Sequence, residues 1–236
     1  MAIVEKWILA VFISTICLKG ASIHTSKNGG VYQYFQLVQQ WPPNRCLGKQ
    51  KPCFKVPQVF TIHGLWPSNH TNNNLQHSCK GSTFPSGAIN GNQTLLTQLM
   101  QAWPNVETGN DEWFWKSEWY NHGTCSEQTY TSLEYFRRSL EIHKSFNITD
   151  ILVKGGVISG AQYQIDWNST DVESMIQAKT KFLPLLRCRN EYLLLKGGNQ
   201  IRGPLLFEIS LCYDYKGIDM INCTSAYGVC PQKLYF

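Results

Sequence analysis

The chain has 236 residues, 43% of them hydrophobic and only 16% charged, against roughly 25% charged in an ordinary soluble domain. Eight Trp, 11 Tyr and 11 Phe exclude a disordered chain, and 18 Gly with 10 Pro are too few for a collagen-like or low-complexity tract. The formal net charge of +5 favours a polyanionic or acidic partner without specifying one.

Residues 1–22 have the layout of a secretory signal peptide. A short n-region carries Lys6, an apolar run extends from Trp7 to Leu18, and the small residues Gly20, Ala21 and Ser22 follow. The run is too short to span a bilayer, and no later stretch qualifies as a membrane helix. Removing Lys6, Lys19 and Glu5 with the leader leaves 19 basic and 15 acidic residues in a domain spanning 23–236, net +4.

Cys17 would leave with the leader. The eight cysteines that remain are an even set, as a paired framework in an oxidising compartment requires. No two of them have zinc-knuckle spacing. Glycosylation sequons begin at Asn69, Asn92, Asn147, Asn168 and Asn222, which suits a secreted glycoprotein.

In chain order, residues 31–41 mix β-branched and aromatic residues and stop at Pro42-Pro43, predicting a strand. Residues 56–62 predict a second. The polar stretch 68–92 reads as a long surface loop tied down by Cys79, with His70 and His77 solvated. Helical spacing covers 94–103 and ends at Pro104. Asp111 is a candidate N-cap for a helix reaching about 122. Leu133, Phe136 and Leu140 mark an amphipathic helix over 131–146, with His143 at its surface. A further helix covers 171–182, and 191–196 with 204–213 predict a strand pair. Without repeat or linker, the chain reads as one α+β domain.

Two segments carry candidate chemistry. In FTIHGLWP (60–67) a strand would deliver His63 to its end, Gly64 would allow a turn, and Trp66-Pro67 would stiffen the exit. In DEWFWKSEWYNHGTC (111–125), Phe114, Glu118 and His122 share one helical face. Each segment alone also fits a structural histidine or a surface Glu–His pair. Together they supply two imidazoles and an acid, which metal-free RNA cleavage needs: one group deprotonates a ribose 2′-hydroxyl while another protonates the leaving 5′-oxygen. A cysteine hydrolase using His122 and Cys125 is disfavoured, because an even cysteine set places Cys125 in a disulfide.

FTIHGLWP and the EW–HGTC block resemble the two active-site segments of the ribonuclease T2 family of secreted endoribonucleases. YFQLVQQWPP at 34–43, WPNV at 103–106, LLRC at 185–188 and the terminal cysteines extend the likeness. Among family members the chain is most similar to plant self-incompatibility S-ribonucleases, with S-like ribonucleases as the nearest alternative. The resemblance implies a disulfide-stapled α+β domain with a central antiparallel sheet flanked by helices. It implies a monomeric enzyme without cofactor or metal that gives 2′,3′-cyclic phosphates and then 3′-phosphates.

Carried onto this sequence, it makes His63 the general acid, His122 the general base, and Glu118 a group positioning His122 and the phosphate. Trp66 walls the site, and Gln40, Asn105 and Phe114 bind a base. It pairs Cys46–Cys53, Cys79–Cys125, Cys188–Cys230 and Cys212–Cys223. An S-ribonuclease would also meet pollen F-box proteins, with the 68–92 loop as specificity surface.

Two positions depart from the pattern. Asn121 stands where the family usually has Lys, and Ser117 where many relatives have His. The missing Lys would have stabilised a phosphorane more negative than the ground state. Reduced turnover is therefore expected, or, in an alternative reading, a weak or inactive ribonuclease-like recognition protein. Lys116 points to another helical face.

Overall fold

The computed structural model describes residues 32–70, 78–157, 166–194, 200–224 and 229–236. The leader read at 1–22, His24 and His77 lie outside the described residues. The elements run β1 (Tyr34–Gln40), α1 (Pro42–Cys46), β2 (Thr61–Ser68), α2 (Ser86–Asn90), α3 (Gln93–Ala102) and α4 (Asp111–Asn121). A 3-10 turn (Gly123–Ser126) follows, then α5 (Ser132–Ser145), α6 (Ile148–Lys154), β3 (Asp166–Asn168) and α7 (Ser169–Thr180). The chain closes with β4 (Leu185–Leu194), β5 (Gln200–Asp214), β6 (Met220–Ile221) and β7 (Lys233–Tyr235).

The described strands form one sheet ordered β2-β1-β5-β7-β3, with β4 and β6 also pairing with β5. All pairings are antiparallel except a single parallel contact between Leu205 and Tyr235. Every residue of β1 is buried, so both faces of the sheet centre are covered. Phe35 and Leu37 join Leu99, Trp103, Trp115, Trp119 and Phe136 of the helices in the main core. Their neighbours Tyr34, Gln36, Val38 and Gln40 face the other way, as a period of two demands. On that side Tyr34 packs with Leu185 and Cys212.

Side chains close the helix starts. Asn92, Asn110, Asn147 and Asn168 each accept a backbone N–H of the following helix, and Thr131 with Glu134 makes a capping box for α5. Each such cap is worth about 1 kcal/mol. The cap expected at Asp111 is thus Asn110. The Asp111 carboxylate instead accepts the backbone N–H of Asn105 at 2.6 Å.

Two other expectations shift. The second strand is Thr61–Ser68 rather than 56–62. It keeps Pro67 because β2 ends the sheet order, where a missing N–H breaks no ladder on the outer side. The 68–92 stretch contains the short α2, and His70 is not simply solvated. Its ring stacks on Tyr34 with centroids 4.5 Å apart, and its Nδ1 lies 2.8 Å from the Thr224 hydroxyl.

The described chain carries four disulfides, Cys46–Cys53, Cys79–Cys125, Cys188–Cys230 and Cys212–Cys223. Cys79–Cys125 fastens the segment before α2 to the turn that follows α4.

His143 is buried at its Nδ1, which has no hydrogen-bond partner, rather than lying at the surface. Burial, with the Lys144 charge beside it, pushes the imidazole down to about 4. Between about pH 4 and 6.5 the unfolded chain therefore binds more protons than the folded one, and stability is lost as pH falls through that window. The loss from this group reaches about 3 kcal/mol. Urea unfolding midpoints measured from pH 7 to pH 4 should fall, and His143→Leu should remove that share of the decline.

Candidate active site

A bulge in β2 creates the site. The β1–β2 register passes from Val38–Gly64 to Gln39–Ile62, so His63 is the extra residue. Bulges re-aim side chains, and this one lies inside the strand rather than at the end expected from sequence. The His63 carbonyl accepts the Trp103 indole N–H at 2.8 Å. Gly64 makes no turn. A Cβ there would stand 2.2 Å from Glu118 Oε2 and 2.2 Å from Trp66 Nε1, so its missing side chain is what lets α4 approach.

Helix α4 supplies the opposing groups. Trp115 and Trp119 point into the core, where their indole N–H groups donate to the carbonyls of Trp103 and Ser82 at 2.7 and 2.9 Å. Phe114, Glu118 and His122 follow one another at four-residue steps on the remaining face. His122 closes the helix, its backbone N–H donating to the Glu118 carbonyl at 2.9 Å.

The two segments meet at the Glu118 carboxylate. His63 Nε2 lies 3.8 Å from Oε1 and His122 Nε2 lies 4.0 Å from Oε2. The Trp66 indole N–H donates to Oε2 at 2.9 Å. That indole stacks on His122 with centroids 4.9 Å apart and meets His63 edge-on at 5.0 Å. Phe114 approaches the His63 ring at 5.7 Å. His63, Trp66, Phe114, Glu118 and His122 are thereby brought together.

Sequence reasoning missed Glu208 of β5. Its Oε1 lies 2.5 Å from His63 Nδ1 and the residue is buried. Burial alone would push the Glu208 carboxyl up. The His63 charge and hydrogen bond, together with Arg187, outweigh it and hold the group below the usual carboxylate range. Burial would likewise push His63 down, and Glu208 with Glu118 outweighs it and raises the imidazole. Glu118 is raised, by burial first, against the lowering effects of His63 and the Trp66 N–H. A carboxylate inside the apolar run LLFEISLC was the available signal, since β-strand cores exclude unpaired charge.

A cavity of about 340 Å³ opens beside this cluster, its wall including Gln40, Arg45, Asn105 and Phe114. Asn105 spends its amide on the local loop, accepting the Thr108 N–H and donating to the Asn110 carbonyl, each at 3.1 Å. Arg45 was not anticipated from sequence. Its guanidinium pairs with Glu107 at 2.5 Å, and its charge acts on His63, Glu118 and Glu208. Asn121 is exposed and donates to the Ser117 hydroxyl at 3.2 Å. Among the described residues, no three or more His, Cys, Asp or Glu side chains are grouped to hold a metal ion.

A ribonuclease T2 family profile matches residues 32–223. The chain belongs to the ribonuclease T2 family. It is 30% identical to Ribonuclease 1 of Arabidopsis thaliana over 95% of this chain and 94% of that protein. Ribonuclease MC1 from bitter gourd seeds superposes with a TM-score of 0.73 at 30% identity, covering 87% of this chain and all of the other. Japanese pear S3-RNase superposes at 0.70 with 28% identity, covering 87% and 100%. With ribonucleases among both relatives and structural neighbours, this family member is an endoribonuclease.

The close approach at Gly64 gives this endoribonuclease a sharp test. Gly64→Ala must push the Glu118 carboxylate and the Trp66 indole away from the backbone at position 64, and a misplacement of about 1 Å can cost about 100-fold in rate. RNA cleavage should fall by that order while the unfolding midpoint moves far less.

Proposed function

We propose that this ribonuclease cleaves RNA by metal-independent transphosphorylation, with His63 as general acid and His122 as general base. One observation carries the reading: the Nε2 atoms of both histidines address a single carboxylate, Glu118, while buried Glu208 holds the far nitrogen of His63. The two carboxylates raise the His63 imidazole and so favour its protonated form, which suits it to donate. His122 takes the 2′-hydroxyl proton as the 2′-oxygen attacks phosphorus. The bond from phosphorus to the 5′-oxygen breaks, and that oxygen receives the proton from His63 Nε2. The product is a 2′,3′-cyclic phosphate. In the second step the roles reverse and water opens the ring to a 3′-phosphate.

Glu118 holds the two imidazoles at one phosphodiester, and Trp66 walls that position. Gln40 and Phe114 line the base-binding cavity, with Asn105 shaping its loop. The Arg45 guanidinium and protonated His63 offset the charge of the phosphorane, part of the work that a Lys at position 121 would do.

Secretion follows from the leader at 1–22 and from the cysteine pairing. Glycans at the sequons are compatible with capping: Asn92, Asn147 and Asn168 use their side-chain oxygens as acceptors, leaving the amide nitrogens for attachment. Asn222 likewise accepts from the Leu183 N–H, and Asn69 completes the set. The biological role we favour is the pistil determinant of self-incompatibility, supported by the net basic balance and by likeness to S-type relatives such as Ribonuclease S-6 of Nicotiana alata, 28% identical. Pollen F-box proteins would then be its partners. The 30% identity to Ribonuclease 1 supports the S-like alternative. Expression confined to the pistil, with allele-specific rejection transferred by the gene, supports the first; expression in vegetative tissue supports the second.

With chelator present, wild type should degrade yeast RNA and His63→Ala should lose about 10²–10⁴-fold in rate. Activity absent from the wild type would leave a recognition protein on a ribonuclease scaffold. Glu208→Gln should cost less than His63→Ala and shift the alkaline limb of the pH–rate profile to lower pH, because the charge raising His63 is gone. A limb that stays in place refutes the role given to Glu208. Asn121→Lys should raise the cleavage rate, and an unchanged rate would mean that existing cations already meet the need.

A further inference from the structure

The segment joining α1 to β2 has an unusual make-up. Residues 42–59 carry Arg45, Lys49, Lys51 and Lys55 and no Asp or Glu. Cys46–Cys53 pins this segment. The backbone N–H groups of Phe54 and Lys55 donate to the carbonyls of Glu107 and Val106, each at 3.2 Å. The basic segment is therefore strapped to the loop that walls the catalytic cavity.

Aromatic rings stand along the same rim. Phe54 is 73% exposed, and Trp113 of α4, at the cavity mouth, is 60% exposed. Phe54 rests against Gly109, whose φ of +74° and lack of Cβ leave room; a Cβ there would lie 2.7 Å from the Phe54 ring. The ring is thus held in place by a backbone adapted to it while most of its surface faces water. Large exposed apolar groups on a rigid rim mark an interaction site.

The chemistry selects the partner. Glu107 meets Arg45 and Lys49, and the Asp111 carboxyl feels Lys55. Cations still outnumber acids, and Lys51 makes no ion pair among the described residues. Presented rings interleaved with cations are the combination that binds single-stranded nucleic acid, the rings stacking on bases and the cations tracking phosphates. A protein partner would gain nothing from continuity with the cavity, whereas a strand leaving the cavity must cross this rim.

We propose that Phe54, Trp113, Lys51 and Lys55 form an outer subsite for single-stranded RNA, binding nucleotides beyond those in the cavity. The proposal rests on the reading of that cavity as the RNA-cleaving site. It makes the enzyme prefer long substrates.

The test compares kcat/KM for a dinucleoside phosphate with that for an octanucleotide containing the same cleavable step. Wild type should favour the octanucleotide, and that preference should shrink about tenfold in Phe54→Ala. The double variant Lys51→Ala/Lys55→Ala should also lose preference, and the dependence of its octanucleotide log kcat/KM on log salt should flatten by about 1.4 in slope, about 0.7 for each lysine. A preference unchanged in both variants overturns the subsite and reassigns the exposed rings to a protein partner. Wild-type inactivity on both substrates overturns the catalytic reading beneath it, and this one with it.

Discussion

A half-buried imidazole gripped by a buried carboxylate is the constraint around which this molecule is organised. Taking the Glu208 charge out of water is expensive, and its short contact with His63, helped by Arg187, offsets the cost. The pair therefore cannot drift: separating it leaves an uncompensated charge under the sheet surface. Its two halves come from β5 and β2, with β1 between them, so three adjacent strands must hold their register. The bulge at His63 is part of the same arrangement, because it turns the ring towards the Glu208 face, and the Trp103 indole occupies the carbonyl freed there.

The other half of the site arrives from a helix, and its placement is a packing problem. Helix α4 has to bring Glu118 close to a strand backbone, which a Cβ at position 64 would prevent. Trp115 and Trp119 fix the rotation of the helix, since both indoles are buried and both N–H groups have one carbonyl each to satisfy. Cys79–Cys125 then holds the turn beyond His122. Core packing and the geometry of the candidate site are thus two faces of one helix. A mutation in the tryptophan face would be felt at the carboxylate.

Much of this was legible in the sequence. Four-residue spacing placed Phe114, Glu118 and His122 together, and helical spacing with the Pro104 stop located α3, α5 and α7 within a few positions. What escaped notice were features decided by distant neighbours. The bulge depends on how β2 registers against β1, so FTIHGLWP alone looked like a strand end followed by a turn. Glu208 lies 145 residues from His63 in the chain, and local patterning says nothing of which partner such a buried acid meets. Arg45 sits in a short helix with no periodic signal, and its role emerges from the fold that puts α1 beside the cavity. Asp111 was the cap read from sequence, and the backbone geometry gives that place to its neighbour Asn110. His143 looked like a surface residue because helical spacing does not say how deeply a face is covered.

Positive charge is where this chain departs most from the pattern it resembles. With Asn at position 121, α4 contributes no cation next to His122, and the basic side chains lining the cavity are His63 and Arg45. Glu208 and Glu118 both favour the charged form of His63, which ties the site's electrostatics to those two carboxylates. Arg45 belongs to the basic segment pinned by Cys46–Cys53, the same segment that carries Lys51 and Lys55. In the proposed reaction, then, transition-state charge and substrate-holding charge come from one stapled strap rather than from the catalytic helix. Such an arrangement couples rate to substrate length: RNA long enough to engage the strap gains its cations as well as Arg45 and His63, whereas a dinucleotide meets only the cavity's own charges.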